Sequence, residues 1–196
     1  MNDLEEPWID IKSYLLLFGI LLNNMLSFSL IKRKNLLLSL NAEYYFFLFF
    51  VFLSNFFLKI MSIIDLTATH YVDNTDNDFE LLYVNIFHKL NFRFFFKIFL
   101  KKEDLVVSIS ELFKSTAWLE REVWDLFGLK FIYHEDLRRI LTDYGFLGHP
   151  LQKQFPLIGF IEIRYDDSIL NILKEAVEMS QMYRFFRFIN PWFIWK

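Results

Sequence analysis

The residues with chemistry to offer cluster in the second half of this 196-residue chain. His134, Glu135 and Asp136 are consecutive, while His70, His88 and His149 are scattered. Imidazole and carboxylate groups bind metals. Three consecutive residues cannot all face one ion from a strand or a helix, however, and no HExxH pair, facial triad or other ligand spacing occurs. His134 therefore reads as part of a solvated turn. Gly145 and Gly148 form neither GxGxxG nor GxxxxGK, so neither a dinucleotide nor a nucleoside triphosphate has its usual cradle. No serine lies in a GxSxG context. The absence of cysteine excludes thiolate-bound iron–sulfur clusters, cysteine zinc sites, a cysteine nucleophile and a redox disulfide. With 21 basic against 24 acidic residues there is no cationic field to hold a phosphate backbone, so no nucleic-acid partner is expected.

The carboxylates that stand out are on one predicted helix. Thr116 to Phe127 reads as helical, stopped by Gly128 just beyond its last turn. Glu122 is three residues from Leu119 and four from Leu126, which places it on their apolar face. A buried carboxylate needs a cation, and Arg138, Arg139 and Arg164 are the candidates. An ion pair is the expected role of Glu122, ahead of acid–base work. Arg121 and Asp125 form an i,i+4 pair that reads as surface stabilisation.

The elements that must position this helix follow from the hydrophobic period. Ser13 to Leu26 reads as a helix, Phe28 to Leu40 as two strand-like runs about Lys32-Arg33-Lys34, and Asn41 as the cap of a helix to about Leu58. Ile60 to Leu66, Phe79 to His88, Phe92 to Leu100 and Leu105 to Ile109 read as strands. In the run Phe92 to Leu100, Phe94, Phe96, Ile98 and Leu100 alternate with Arg93, Phe95, Lys97 and Phe99. The fold class is α+β: N-terminal helices on a mixed or antiparallel sheet of about four strands, then a helix and a long irregular extension. Tyr44 to Ile64 also reaches the roughly 20 residues of a bilayer span, so a small membrane-embedded protein is the competing reading. Asn41, Asn55 and Lys59 fall near one helical meridian and favour packed elements instead.

Composition adds context. Twenty-six phenylalanines beside five glycines and four prolines point to an AT-rich, organellar genome before they point to function. The first ten residues are acidic, with no Lys or Arg, unlike a secretory or mitochondrial leader. Four of the glycines (128, 145, 148, 159) and three of the prolines (150, 156, 191) lie from residue 128 onward. Asp143-Tyr144-Gly145-Phe146-Leu147-Gly148-His149-Pro150 is therefore a built loop, in a segment fit to wrap a partner. The division expected is an α+β domain over 1–128 and an extended C-terminal strap over 129–196.

Glu120-Arg121-Glu122-Val123-Trp124-Asp125-Leu126-Phe127-Gly128, then Asp136 to Phe146, then Gly148-His149-Pro150-Leu151, closely resembles the signature of the 30 kDa subunit family of respiratory NADH:ubiquinone oxidoreductase (complex I), called subunit nine in mitochondrial genomes and having a bacterial counterpart. The resemblance runs on through Phe155-Pro156-Leu157, Glu162 to Asp166 and Pro191-Trp192. It implies a non-redox subunit in the peripheral arm, on the matrix side of the mitochondrial inner membrane, without a membrane span of its own. FMN, iron–sulfur clusters and ubiquinone would lie in partner subunits, and the isolated chain would have no activity. The implied partners are the quinone-site and iron–sulfur subunits. Their contacts, or the structural signature behind them, would involve Glu120, Arg121, Glu122, Asp125, Gly128, Arg138, Arg139, Asp143, Tyr144, Gly145, Gly148, His149, Pro150, Lys153 and Arg164. The family usually has His-Pro where this chain has His134-Glu135, and Arg-Lys-Asp where it has Gln152-Lys153-Gln154.

Overall fold

The structure is a computed structural model that describes residues 26–32, 35–40, 44–54, 62–72, 78–87, 92–178 and 184–186. The helix expected over Ser13 to Leu26 lies outside these residues, except for Leu26, which opens a strand. The chain divides into two compact units, Met1–Phe155 and Pro156–Lys196.

In the first unit, strands β1 (Leu26–Lys32), β2 (Asn35–Leu40), β3 (Ser62–His70), β4 (Phe79–Phe87) and β5 (Phe92–Leu100) form one sheet in the order β1-β2-β5-β4-β3. All neighbours are antiparallel except β2 and β5, where Asn35 stands opposite Arg93 in a parallel pair. The mixed sheet expected is thus present, with five strands rather than about four. Period-two alternation sets its inner face: Leu81 and Tyr83 of β4 stand opposite Ile98 and Phe96 of β5, and all four are fully buried.

Helix α1 (Tyr45–Ser54) lies on that face. Its Phe49 ring is 4.7 Å from that of Phe96 and 5.3 Å from that of Tyr83, and Phe52 packs on Phe94 and Phe96. Each fully buried Phe contributes roughly 1.5–3 kcal/mol of transfer free energy, so this aromatic layer dominates the core. The membrane-span reading of 44–64 is not favoured by this arrangement. The segment holds a helix of 10 residues, about 15 Å long, and the beginning of β3. No described helix is long and apolar enough to cross a membrane.

Helix α2 (Thr116–Phe127) has the bounds read from the sequence and also packs against β3. Two short strands, β6 (Val106–Val107) and β7 (Phe131–Ile132), pair in parallel beside it. From Tyr133 to Phe160 the chain has neither helix nor strand. The expected boundary at 128/129 moves to 155/156, because the residues after Gly128 return to α2 and are bonded to its end. The second unit holds a hairpin that the irregular extension did not anticipate, β8 (Ile161–Asp166) with β9 (Asn171–Ala176).

Candidate functional site: two buried carboxylates on helix α2

Helix α2 buries two acids five residues apart, Glu120 and Asp125, both 0% exposed. Asp125 faces the returning loop. Its Oδ2 accepts from the backbone N–H groups of Ile140, Leu141 and Thr142 at 3.2, 2.7 and 2.9 Å, and its Oδ1 accepts from the Thr142 hydroxyl at 2.7 Å. Burial alone would raise this acid, but the hydrogen bonds from Thr142, Leu141 and Ile140 outweigh it and hold the carboxyl below its ordinary value. The Asp125 side chain is thus the anion about which the chain from 139 to 142 folds.

The helix end is closed by the same loop. The last four carbonyls of α2 have no partner inside the helix in general, and here each finds one. Trp124 O accepts from Gly128 N, Asp125 O from His149 Nδ1 at 3.0 Å, Leu126 O from Leu151 N at 3.0 Å, and Phe127 O from Gln152 Nε2 at 2.6 Å. Gly128 is required twice over. Its φ is +82°, and a Cβ there would lie 2.6 Å from the His149 ring, which packs on Trp124. Arg139 donates to Gly148 O at 2.8 Å, so the loop is also tied across its own width.

Glu120 faces the opposite way, toward the sheet. It accepts from Ser108 Oγ at 2.5 Å and from Ile109 N at 2.9 Å, and Ser108 Oγ lies 2.7 Å from Ser110 Oγ. His134 Nε2 is 3.8 Å from the Glu120 carboxyl but 3.1 Å from Ala117 O, to which it must donate. The other ring nitrogen, Nδ1, accepts from Asp136 N at 3.1 Å. Burial pushes the Glu120 carboxyl up to about 7, against the downward pull of the Ser108 and Ile109 hydrogen bonds. The hydroxyls of Tyr45 and Tyr83 are buried without a hydrogen-bond partner among the described residues, and the charge of Glu120 is felt at both.

Residues 49–160, which include both carboxylates and the loop, match the family model described as respiratory-chain NADH dehydrogenase, 30 Kd subunit. The chain belongs to this 30 kDa subunit family. It is 53% identical over 128 residues to NADH-ubiquinone oxidoreductase subunit 9 of Acanthamoeba castellanii, a match covering 65% of this chain and 64% of that protein, so just under two thirds of the relative's length is spanned. It is 41% identical over 152 residues to NADH dehydrogenase [ubiquinone] iron-sulfur protein 3 of Arabidopsis thaliana, covering 78% of this chain and 80% of the relative. A chain in a structure of the membrane-bound sulfane sulfur reductase, an archaeal respiratory membrane complex, has a like fold: TM-score 0.61, 21% identity, 75% of this chain and 87% of that one.

Within this family member, the site residues expected from sequence are distributed as follows. Arg121 leaves its i,i+4 neighbour and reaches Arg138 O at 3.2 Å, its guanidinium over the Trp118 ring, while Asp125 turns to the loop. These two are therefore not a surface pair. Arg138 bonds Asp136 in solvent at 2.8 Å, and the Asp143 carboxylate accepts from Tyr144 N. Tyr144 is 96% exposed at the loop tip, next to Gly145 at φ +72°. Gly148 has φ +97°, and a Cβ there would meet the Phe155 ring at 2.9 Å. Pro150 lies in the chain between His149 and Leu151, which bond the helix end, and the backbone N–H of Lys153 donates to His70 Nδ1 at 2.9 Å. In the second unit Arg164 grips Glu175 with two bonds of 2.8 and 3.0 Å.

Glu122 is a correction. It is only partly buried, with no ion pair or side-chain hydrogen bond among the described residues, because Leu119 and Leu126 are themselves only partly buried and do not mark the inner face. His134 is another: its side chain is 3% exposed, not in a solvated turn. Sequence reasoning also missed Ser108, Ser110, Thr142 and Gln152, the donors that complete the two acids and the helix end. Two small hydroxyl residues flanking Ile109 in an apolar run were the available signal. Among the described residues no group of three or more His, Asp or Glu is placed to hold a metal.

Proposed function

We propose that the chain is a non-redox core subunit of the peripheral arm of proton-pumping NADH:ubiquinone oxidoreductase, on the matrix side of the mitochondrial inner membrane. It scaffolds and assembles the quinone-site and iron–sulfur subunits, while FMN, the clusters and ubiquinone reside in those partners. Family membership and the lack of any cysteine support this reading. The observation that carries it is a loop whose base is locked and whose tip is bare. Asp125, His149, Gln152 and Arg139 hold the segment from both ends, yet Tyr144 and Leu147 project at 96% and 79% exposure. An ordered loop with apolar side chains in solvent loses little further entropy when a partner covers it. Arg138 and Lys153 lie exposed at its flanks to meet carboxylates or carbonyls of a neighbour.

Gly148→Ala and Arg139→Ala are the tests. Each is expected to lower the amount of assembled complex several-fold while turnover per assembled complex stays near normal. Unchanged assembly with a sharply raised apparent quinone KM would place the loop in the quinone site itself and overturn the scaffold reading.

A further inference from the structure

We propose that Glu120 is a proton-binding site inside the core of this chain, its two protonation states exchanged by reversing the hydroxyl chain Ser108–Ser110. The geometry keeps the bonds of Ser108 complete in both states, and only the Ser110 hydroxyl hydrogen must turn away from Ser108 when Glu120 is protonated. With Glu120 ionised, the Ser108 hydroxyl donates to Glu120 Oε2, and Ser108 Oγ accepts from the hydroxyl and the backbone N–H of Ser110, the latter at 3.1 Å. With Glu120 protonated, Oε2–H donates to Ser108 Oγ, the Ser108 hydroxyl turns to donate to Ser110 Oγ, and the Ser110 N–H bond stays. Ser108 uses one proton and two lone pairs either way. Ile109 N donates to Oε1 at 2.9 Å in both states. The proton joining Oε2 comes from solvent and returns to it, so no other reactant is involved.

The surroundings supply no charge that would pin one state. On α2 itself Arg121 turns away to Trp118 and Arg138 O. Beyond β7, His134 spends its two ring nitrogens on Ala117 O and Asp136 N, with Nε2 3.8 Å from the Glu120 carboxyl. From α1 and β4, Tyr45 and Tyr83 present phenols that burial keeps protonated. The segment after β6 offers only Ser108, Ser110 and a backbone N–H. A fully buried carboxyl with hydrogen bonds but no cation binds a proton far more readily than one in water, in keeping with its rise to about 7.

Infrared difference spectroscopy on the full chain reads this directly, through the carbonyl stretch of a protonated carboxyl followed from about pH 9 down to about pH 5. A band that grows with a midpoint near pH 7 and is missing from Glu120→Gln is expected. Ser108→Ala removes a donor to the ionised form and should move the midpoint up by about one pH unit. A carboxyl that stays ionised to about pH 5, or a band that survives in Glu120→Gln, overturns the proposal. Should Glu120→Gln fail to fold, Ser108→Ala decides alone: an unmoved midpoint refutes the hydroxyl chain.

Discussion

The two ends of helix α2 hold the same kind of group in the same degree of burial, with opposite outcomes. Asp125 is surrounded by three backbone N–H donors and a threonine hydroxyl, with the Arg139 guanidinium 3.5 Å from its Oδ1, and its carboxyl is held below its ordinary value. Glu120 has one hydroxyl and one N–H and is poised near neutrality. Burial does not by itself decide the charge of a carboxyl; the count of donors aimed at it does. The loop end commits its donors to a fixed anion that organises the returning chain, and the sheet end leaves its acid free to change state.

The largest effect should come from breaking the loop end. Asp125→Ala strips five donors, Arg139 among them, of their acceptor and is expected to cost about 4 kcal/mol in denaturant unfolding. A loss below about 1 kcal/mol would mean that the loop is held by other contacts. Next is the sheet end, where the sign of pH dependence separates the two acids. Glu120 is raised from an ordinary 4.5 to about 7, so its contribution is full below about 4.5 and is lost as pH rises through 7. Asp125 is lowered from 3.8, so its contribution is present above that value and is lost only as pH falls through its depressed one. Glu120→Gln should accordingly be more stable than the parent by about 3 kcal/mol at about pH 8, with the gap closing toward about pH 5. Parallel stability curves for the two proteins would erase the contrast.

Gly128→Ala tests the junction between the ends. The left-handed backbone and the His149 ring together predict a loss of about 2 kcal/mol in the same unfolding assay. A neutral result would show that the ring can move aside. Smallest of all, Glu122→Gln should change stability by less than about 0.5 kcal/mol, since the side chain is partly in solvent and engages no described partner. A loss above about 2 kcal/mol would restore Glu122 to the role that its spacing first suggested.

That misplacement of Glu122 marks what a linear sequence reveals and what it hides. The bounds of α2, its stop at Gly128 and the alternation of β5 are local and were legible, because each rests on residues within one turn or one strand. The facing of α2 is not local. Leucines at 119 and 126 suggested one inner face, while the helix in fact buries Thr116, Glu120 and Val123 on one side and Arg121 and Asp125 on another. A helix clasped between a sheet and a loop has two buried faces, and polar residues mark both once their partners return from residues 108–110 and 139–152. Hydrophobic spacing cannot see those partners. The hairpin of the second unit was missed for a different reason: Gly and Pro nearby argued for irregular chain, yet they fall before Ile161 rather than inside the strands.

The parallel pairing of β2 with β5 sets an order of events during synthesis. Asn35 leaves the ribosome long before Arg93, and at about 5–20 residues per second the β1–β2 hairpin waits on the order of 3–12 s for the strand it must lie beside. Through that interval the hairpin has an open edge and little to pack on, since an isolated hairpin is marginal in water. Strands β3, β4 and β5 follow one another as antiparallel neighbours and need no such wait. The two parts of the sheet can therefore join only once β5 is made, because it is the strand that pairs with both β2 and β4.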